Sequence, residues 1–313
     1  MSVEKTALPK NILVNVNGEF YSADDAKVSV FDRSYIYGDS LYEVARTYGG
    51  YFFELDGHLK RLGKSAELCH MVLGQSLETY HNEIMRTLAA WKKMAGNQKR
   101  EAYCRIIVSR GEGRIGFGLP CLTSPTLFTI IVQALEPPTA EQFQKGFNFQ
   151  VSKRLRNNPK ALDPAMKSGN YLNSLLAYLE AASENYDDAL LCNADGHVTE
   201  GTTFNIFYIR RGIIATPPLD IGILDGITRR EVIQMCRDSG IEVREVRFPK
   251  ERLYEADEVF MTSSIKEIFP VTRIDGRKIG NGTPGKLTRK LHNQFNELIA
   301  ERTQRENSRR STT

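Results

Sequence analysis

The chain has 313 residues, of which 41% are hydrophobic and 26% charged, enough for a sizeable core and two domains. No stretch approaches the roughly 18 apolar residues of a membrane span, and the opening MSVEKTALPKN has no apolar signal core, so a soluble cytoplasmic protein without a membrane partner is expected. The formal charge of +4 owes part to the polar end ERTQRENSRRSTT and points to no nucleic-acid partner, while five scattered cysteines without a CxxC pair argue against a disulfide framework or a zinc site.

In chain order, residues 11–32 alternate apolar and polar around Asn17-Gly18, which predicts an opening hairpin. A second hairpin is expected from Leu41–Thr47 and Tyr51–Glu54 around Gly49-Gly50. Asp56 is read as the cap of a helix carrying Leu59, Leu62, Ala66 and Cys69, and Ser76 as the start of another running through Tyr80, Ile84, Leu88 and Trp91. Strand Ala102–Arg110 puts Ala102, Cys104, Ile106 and Val108 on one face and Tyr103, Arg105 and Ile107 on the other. The Gly111–Gly116 match to GxGxxG follows a strand, but FGLPCLTSPT after it has two prolines and no helical period, so a dinucleotide-binding turn is rejected.

Strand Thr126–Ala134 leads to a paired-proline stretch, ALEPPTAEQFQKG, read as an interdomain linker. The expected division is residues 1–134, a linker at 135–145, a second domain at 146–302 and a polar tail at 303–313. The second half reads as strands at 147–153, 189–192, 205–210, 213–216, 241–248 and 258–261, with helices after Lys167, Thr228 and Pro284.

The chemistry centres on ALDPAMKSGNYLNSLLAYLE. Lys167 precedes a helix whose Leu172, Leu175, Leu176 and Leu179 are expected to form its buried face, and a lysine held among apolar neighbours becomes a nucleophilic amine suited to a Schiff base. Glu200, before a Gly-Thr-Thr turn, is a carboxylate suited to a protonated ring nitrogen. Gly226 and Thr228 open a helix whose start can bind phosphate, with Arg61 as a charged partner. An aldehyde-trapping amine, a ring-nitrogen carboxylate and a phosphate cradle together describe pyridoxal 5'-phosphate.

The motifs DRSYIYGDSLYEVAR, HLKRL, AMKSGNYLNSLLA, VTEGTTFNIF, ILDGITRR, FMTSSIKEIFPV and GTPGKLTRKL, in this order over about residues 11 to 295, resemble the class IV (fold type IV) pyridoxal-phosphate aminotransferases. The resemblance implies an α/β (α+β) fold with a smaller N-terminal α/β domain, a larger C-terminal pseudo-barrel domain and the cofactor between them in a homodimer. It implies Lys167 as the catalytic amine, Glu200 at the ring nitrogen, Tyr171 at the ring hydroxyl, and Arg61, Gly226, Ile227, Thr228 and Ser264 at the phosphate. The implied reaction is ping-pong transfer between an amino acid and a 2-oxo acid such as 2-oxoglutarate.

Tyr37, Arg46, Tyr103 and Arg105 resemble the branched-chain pattern and favour a branched-chain L-amino acid, with Tyr42 and Ile265 added as substrate contacts. DRSYIYGDSLYEV and the short KSGN spacing resemble the D-amino-acid enzymes, for which Arg114 is the candidate carboxylate binder, although Gly116 stands where that group has a histidine. An aminodeoxychorismate lyase is disfavoured by Glu43, and a non-catalytic relative by the presence of both Lys167 and Glu200.

Overall fold

The computed structural model describes residues 11–310, with side chains through 306. The chain divides into two compact units: one takes the residues up to Glu136 plus Met166–Asn170, the other Pro137–Ala165 plus the residues from Tyr171 on. Among the described residues no helix is long and apolar enough to cross a membrane.

In the first unit, β1 (Leu13–Val16) and β2 (Glu19–Ser22) form the expected hairpin. Asn17 and Gly18 both take positive φ, 51° and 98°, as a two-residue loop of this twist requires. After α1 (Arg33–Tyr37) come β3 (Ser40–Tyr48), β4 (Tyr51–Phe52), α2 (Leu55–Leu68), α3 (Leu77–Lys93), β5 (Ala102–Ser109) and β6 (Leu127–Ala134). The strands make an antiparallel sheet in the order β2-β1-β6-β5-β3-β4. The alternation in β5 holds, since Ala102, Cys104, Ile106 and Val108 enter one core with Leu59 and Leu62 of α2 and Ile84, Leu88 and Trp91 of α3.

Two local expectations need correction. The strand after Gly50 stops at Phe52 because Glu54 turns the backbone to φ 54°, and Glu54 rather than Asp56 is the N-cap of α2. Asp56 lies inside the first turn, where its charge faces the positive helix end instead of capping an N–H. Ser76 caps α3 through the Thr79 N–H as expected. After Gly111 only a short 3-10 turn, Leu119–Cys121, precedes β6, so the glycine-rich loop opens no α-helix.

The second unit begins with α4 (Ala140–Lys145), a turn and a half inside the stretch read as linker, closed by a capping box between Thr139 and Gln142. There follow β7 (Phe147–Leu155), α5 (Leu172–Ser183), β8 (Asp188–Cys192), β9 (Val198–Gly201), β10 (Asn205–Arg210), β11 (Ile213–Thr216), α6 (Ile227–Asp238), β12 (Val243–Glu245), α7 (Glu251–Tyr254), β13 (Glu258–Ser263), β14 (Glu267–Ile274), β15 (Arg277–Lys278) and α8 (Lys286–Arg310). Helix α8 continues through much of the stretch read as a polar tail. The sheet order is β12-β11-β10-β13-β14-β7-β8-β9, with β15 on β14.

Covalent geometry forces this sheet to curl. Gly201 ends β9 and Asn205 starts β10, so at most about 14 Å of chain joins two strands that a flat sheet would hold about 24 Å apart. Central strand β14 was not expected. Its Pro270 argues against a central strand, but pairing with β7 begins only at Val271, so no rung to β7 needs the missing N–H.

Helix α5 also differs from expectation. Its buried residues are Ser174, Ala177 and Ala181, packed with Ala189 and Leu191 of β8, whereas Leu172, Leu175 and Leu179 are exposed. Small side chains let the helix lie close on the sheet, and the leucine ridge points away.

Trp91 is fully buried, and its indole N–H donates to the Asn11 carbonyl at 2.7 Å. Trp91→Ala is expected to cost about 3–5 kcal/mol, read as a lower urea midpoint for the first unit.

Candidate active site

Lys167 is positioned by backbone pairing. The Tyr42 N–H donates to the Lys167 carbonyl at 2.9 Å, the Gly169 N–H donates to the Ser40 carbonyl at 2.7 Å, and Leu41 bridges Ser168, so Met166–Asn170 lies along β3 like a fragment of strand. The Lys167 N–H donates in turn to Ser65 Oγ of α2. A Cβ on Gly169 would stand 2.3 Å from Ser40 Oγ, which explains a glycine two residues after the lysine.

Residues directly opposite in an antiparallel pair share a face. Val44 opposes Arg105 and Arg46 opposes Tyr103, so these side chains lie with Tyr42 on the face of β3 and β5 that turns away from the core. Lys167 Nζ donates to the Tyr42 hydroxyl at 3.2 Å and stands 4.4 Å from that ring's centre. The Arg105 guanidinium lies 4.2 Å from the same ring, and among the described residues its buried Nε–H has no hydrogen-bond acceptor. Arg46 lies over the Tyr48 ring. Burial pushes the Tyr103 phenol up, against the opposing pull of Arg105 beside it. Of the expected residues, Tyr42 touches the Lys167 amine and Arg105 shares the Tyr42 ring, while Tyr103 and Arg46 lie on the same sheet face.

On the core face of β3, Glu43 forms a buried ion network. Its carboxylate accepts from Arg61 Nε at 2.7 Å, Arg61 Nη2 at 2.8 Å and His58 Nδ1 at 2.8 Å. Burial alone would raise the Glu43 carboxyl, but Arg61 and His58 hold it far below the usual carboxylate range. Burial lowers His58 against the opposing pull of Glu43, with the charges of Arg61 and Lys167 adding to the fall, so above its ordinary value of 6.5 the ring is mostly neutral and Nδ1 carries the hydrogen that Glu43 accepts.

In the second unit, Glu200 is buried at the end of β9 and fully engaged. Arg156 donates to Oε1 through Nε at 3.1 Å and Nη2 at 2.7 Å, and the Leu224 N–H donates to Oε2 at 3.0 Å. Asn205 Nδ2 reaches the same oxygen at 3.4 Å and donates to the Leu224 carbonyl at 2.9 Å. Gly226 is the N-cap of α6 without a side-chain cap, and a Cβ there would meet Asn205 Oδ1 at 2.1 Å. Ile227 and Thr228 follow as buried first-turn residues, leaving backbone N–H donors at a positive helix end.

Other expected residues sit elsewhere. Tyr171 is the N-cap of α5, and Ser264 and Ile265 form the turn between β13 and β14. Tyr37 ends α1, where its hydroxyl accepts from the Gly116 N–H and its ring meets Phe117. Arg114 is exposed in the 111–121 loop with Nη2 on the Pro120 carbonyl. Arg156, Asn205 and His58 escaped the sequence reading: the second arginine of KRLRN carries no pattern, and only the polar head of the apolar run NIFYI hinted at Asn205.

Acid is expected to destabilise the protein in two stages. A histidine depressed below its ordinary value of 6.5 confers stability that is complete above that pH and is lost as pH falls. The Glu43 contribution is complete above about 4.5 and is lost below it. His58→Gln should flatten the first limb, and Glu43→Gln should cost about 3–5 kcal/mol near neutral pH by removing the charge that Arg61 is buried against. Urea unfolding between about pH 7.5 and about pH 4 measures both.

The family Amino-transferase class IV matches residues 40–274. The branched-chain-amino-acid aminotransferase of Salmonella typhimurium is 34% identical over 297 residues, covering 92% of this chain and 93% of that protein. The D-alanine aminotransferase of Bacillus licheniformis is 34% identical over 288 residues, covering 91% and 96%. Among solved structures, the branched-chain amino acid aminotransferase of Thermobaculum terrenum in its PLP-form superposes with a TM-score of 0.81 at 28% identity, covering 94% of this chain and 95% of that one. With the family matched across most of the chain and the α+β, fold type IV architecture present in both units, the chain belongs to the class IV aminotransferases.

Proposed function

We propose that the chain is a pyridoxal-phosphate-dependent transaminase that moves an amino group between a branched-chain L-amino acid and a 2-oxo acid such as 2-oxoglutarate, by a ping-pong mechanism and as a homodimer. The observation that carries this reading is the Lys167 amine, registered on β3 and sharing the Tyr42 ring with Arg105, whose buried Nε–H lacks an acceptor among the described residues. The donor sets fit the cofactor: an amine for its aldehyde, a fixed carboxylate for its ring nitrogen, and an uncapped helix start for its phosphate. When bound, pyridoxal phosphate supplies an electrophilic carbon and a ring that accepts the electrons of the broken substrate C–H bond.

Each residue then has a task. Lys167 Nζ takes the proton from the substrate α-carbon and delivers it to a second carbon, as transfer of the amino group requires. Glu200, immobilised by Arg156 and the Leu224 N–H, keeps negative charge at the ring nitrogen. Arg61, held by Glu43, joins Gly226, Ile227, Thr228 and Ser264 at the phosphate, and Tyr171 serves the ring hydroxyl. Arg105 offers its Nε–H to the substrate carboxylate, with Tyr103 and Arg46 on the same face. Tyr37, Tyr42 and Ile265 complete the substrate contacts. The exposed Leu172, Leu175 and Leu179 of α5 form an apolar ridge suited to a second copy of the chain.

The similarity to a D-alanine aminotransferase keeps a second reading, in which Arg114 takes the carboxylate. The purified protein, loaded with cofactor, should lose its visible absorption band on addition of L-leucine and keep it with D-alanine; the reverse would shift the assignment to D-amino acids. Lys167→Ala is expected to lower turnover by at least about 100-fold with an unchanged circular dichroism spectrum. Near-normal transamination by that variant would end the proposal.

A further inference from the structure

Tyr42 does more than line a substrate surface. Its phenol oxygen accepts a hydrogen bond from Lys167 Nζ at 3.2 Å while its backbone N–H donates to the carbonyl of the same lysine at 2.9 Å. One residue thus grips both ends of the lysine. The ring is 4% exposed and carries two cations over it, Lys167 at 4.4 Å and Arg105 at 4.2 Å. Both cations are held against the electron-rich face of the ring, which keeps the phenol beside the amine.

We propose that Tyr42 is a positioning residue for the reactive amine, its phenol oxygen holding Lys167 Nζ at one point on the β3 face whenever the amine is released. The inference rests on the reading of Lys167 as the amine of the reaction. Lysine is a point charge on a flexible four-carbon stem, and its backbone anchor alone leaves the amine many positions. A group that must take a proton from one carbon and deliver it to another works only from a fixed place close to both. The phenol supplies that place.

The surrounding charges give the contact a measurable sign. Arg105 from β5 shares the Tyr42 ring with Lys167, and the Lys167 charge is felt by His58 of α2. His58 of α2 is neutral, and the Glu43 carboxylate of β3 is engaged by Arg61 and His58. The Tyr42 oxygen favours the ammonium, because it accepts from it. Tyr42→Phe keeps the ring and its contacts with both cations but deletes the acceptor, so the lysine should lose its proton more readily.

The test uses the full-length Tyr42→Phe variant and two readouts. In cofactor-free protein, trace acetylation of Lys167 followed by peptide mass spectrometry should reach half its maximum about one pH unit lower than in the parent protein. In the loaded enzyme, kcat should fall by about 10- to 100-fold while KM for the amino acid stays within about twofold. An unchanged labelling profile overturns the inference. A raised KM with kcat retained also overturns it, and assigns the phenol to the substrate carboxylate instead. Borohydride reduction and peptide mapping of the loaded parent protein separate the two levels: cofactor on Lys167 leaves the underlying reading standing whatever the variant does, whereas cofactor on another lysine removes both.

Discussion

The chemistry proposed for this protein depends on five residues, Met166–Asn170, being paired to β3. The flanks of this segment belong to one unit and the segment itself to the other, and two backbone hydrogen bonds on Ser40 and Tyr42 decide where its lysine stands. Hydrogen bonds of this kind are worth little net stability each, but their geometry is stiff. The position of the amine is therefore set by sheet register, the least adjustable variable in a β structure. Gly169 makes the approach possible because any side chain there would overlap Ser40.

Buried charge is handled in the same way in both units. Glu43 and Glu200 are each almost wholly removed from water, and each is surrounded by an arginine and a neutral donor: Arg61 with His58, Arg156 with the Leu224 N–H. Ion pairs at such depth contribute little to stability when compared with apolar packing, because desolvation offsets the attraction. What they secure is orientation. Glu43 fixes the guanidinium of Arg61 with two parallel bonds, and the Leu224 N–H and Asn205 tie Glu200 to the loop that opens α6.

Much of this was legible in the sequence wherever one local rule governed the outcome. Asn17-Gly18 demanded a hairpin, the strict alternation of Ala102 to Val108 marked the core face of β5, and Ser76 announced α3. The family motifs brought Lys167, Glu200 and Thr228 forward together. Legibility failed where tertiary context overruled the local rule. Pro270 sits in a central strand because its missing N–H falls just outside the rungs to β7, and the leucines of α5 face outward because only Ser174, Ala177 and Ala181 are small enough for the close contact beneath. Arg156 meets Glu200 across 44 residues and Asn205 meets the Leu224 carbonyl across 19, pairings that no local spacing reveals.

The topology of the curled sheet has a bearing on how the chain acquires it. Strand β7 has β8 as one neighbour, a short way along the chain, but its other neighbour is β14, with Phe147 opposite Val271 near the far end of the same unit. The first sheet involves no strand beyond Ala134. During synthesis, then, the antiparallel sheet has all its strands early, whereas β7 waits with one edge unpaired until almost the whole chain has emerged. Loop-closure entropy makes such a long-range parallel pairing slow. The β7–β14 rungs complete the sheet, so the interval before they form is when its unpaired strand edges are most exposed to mispairing.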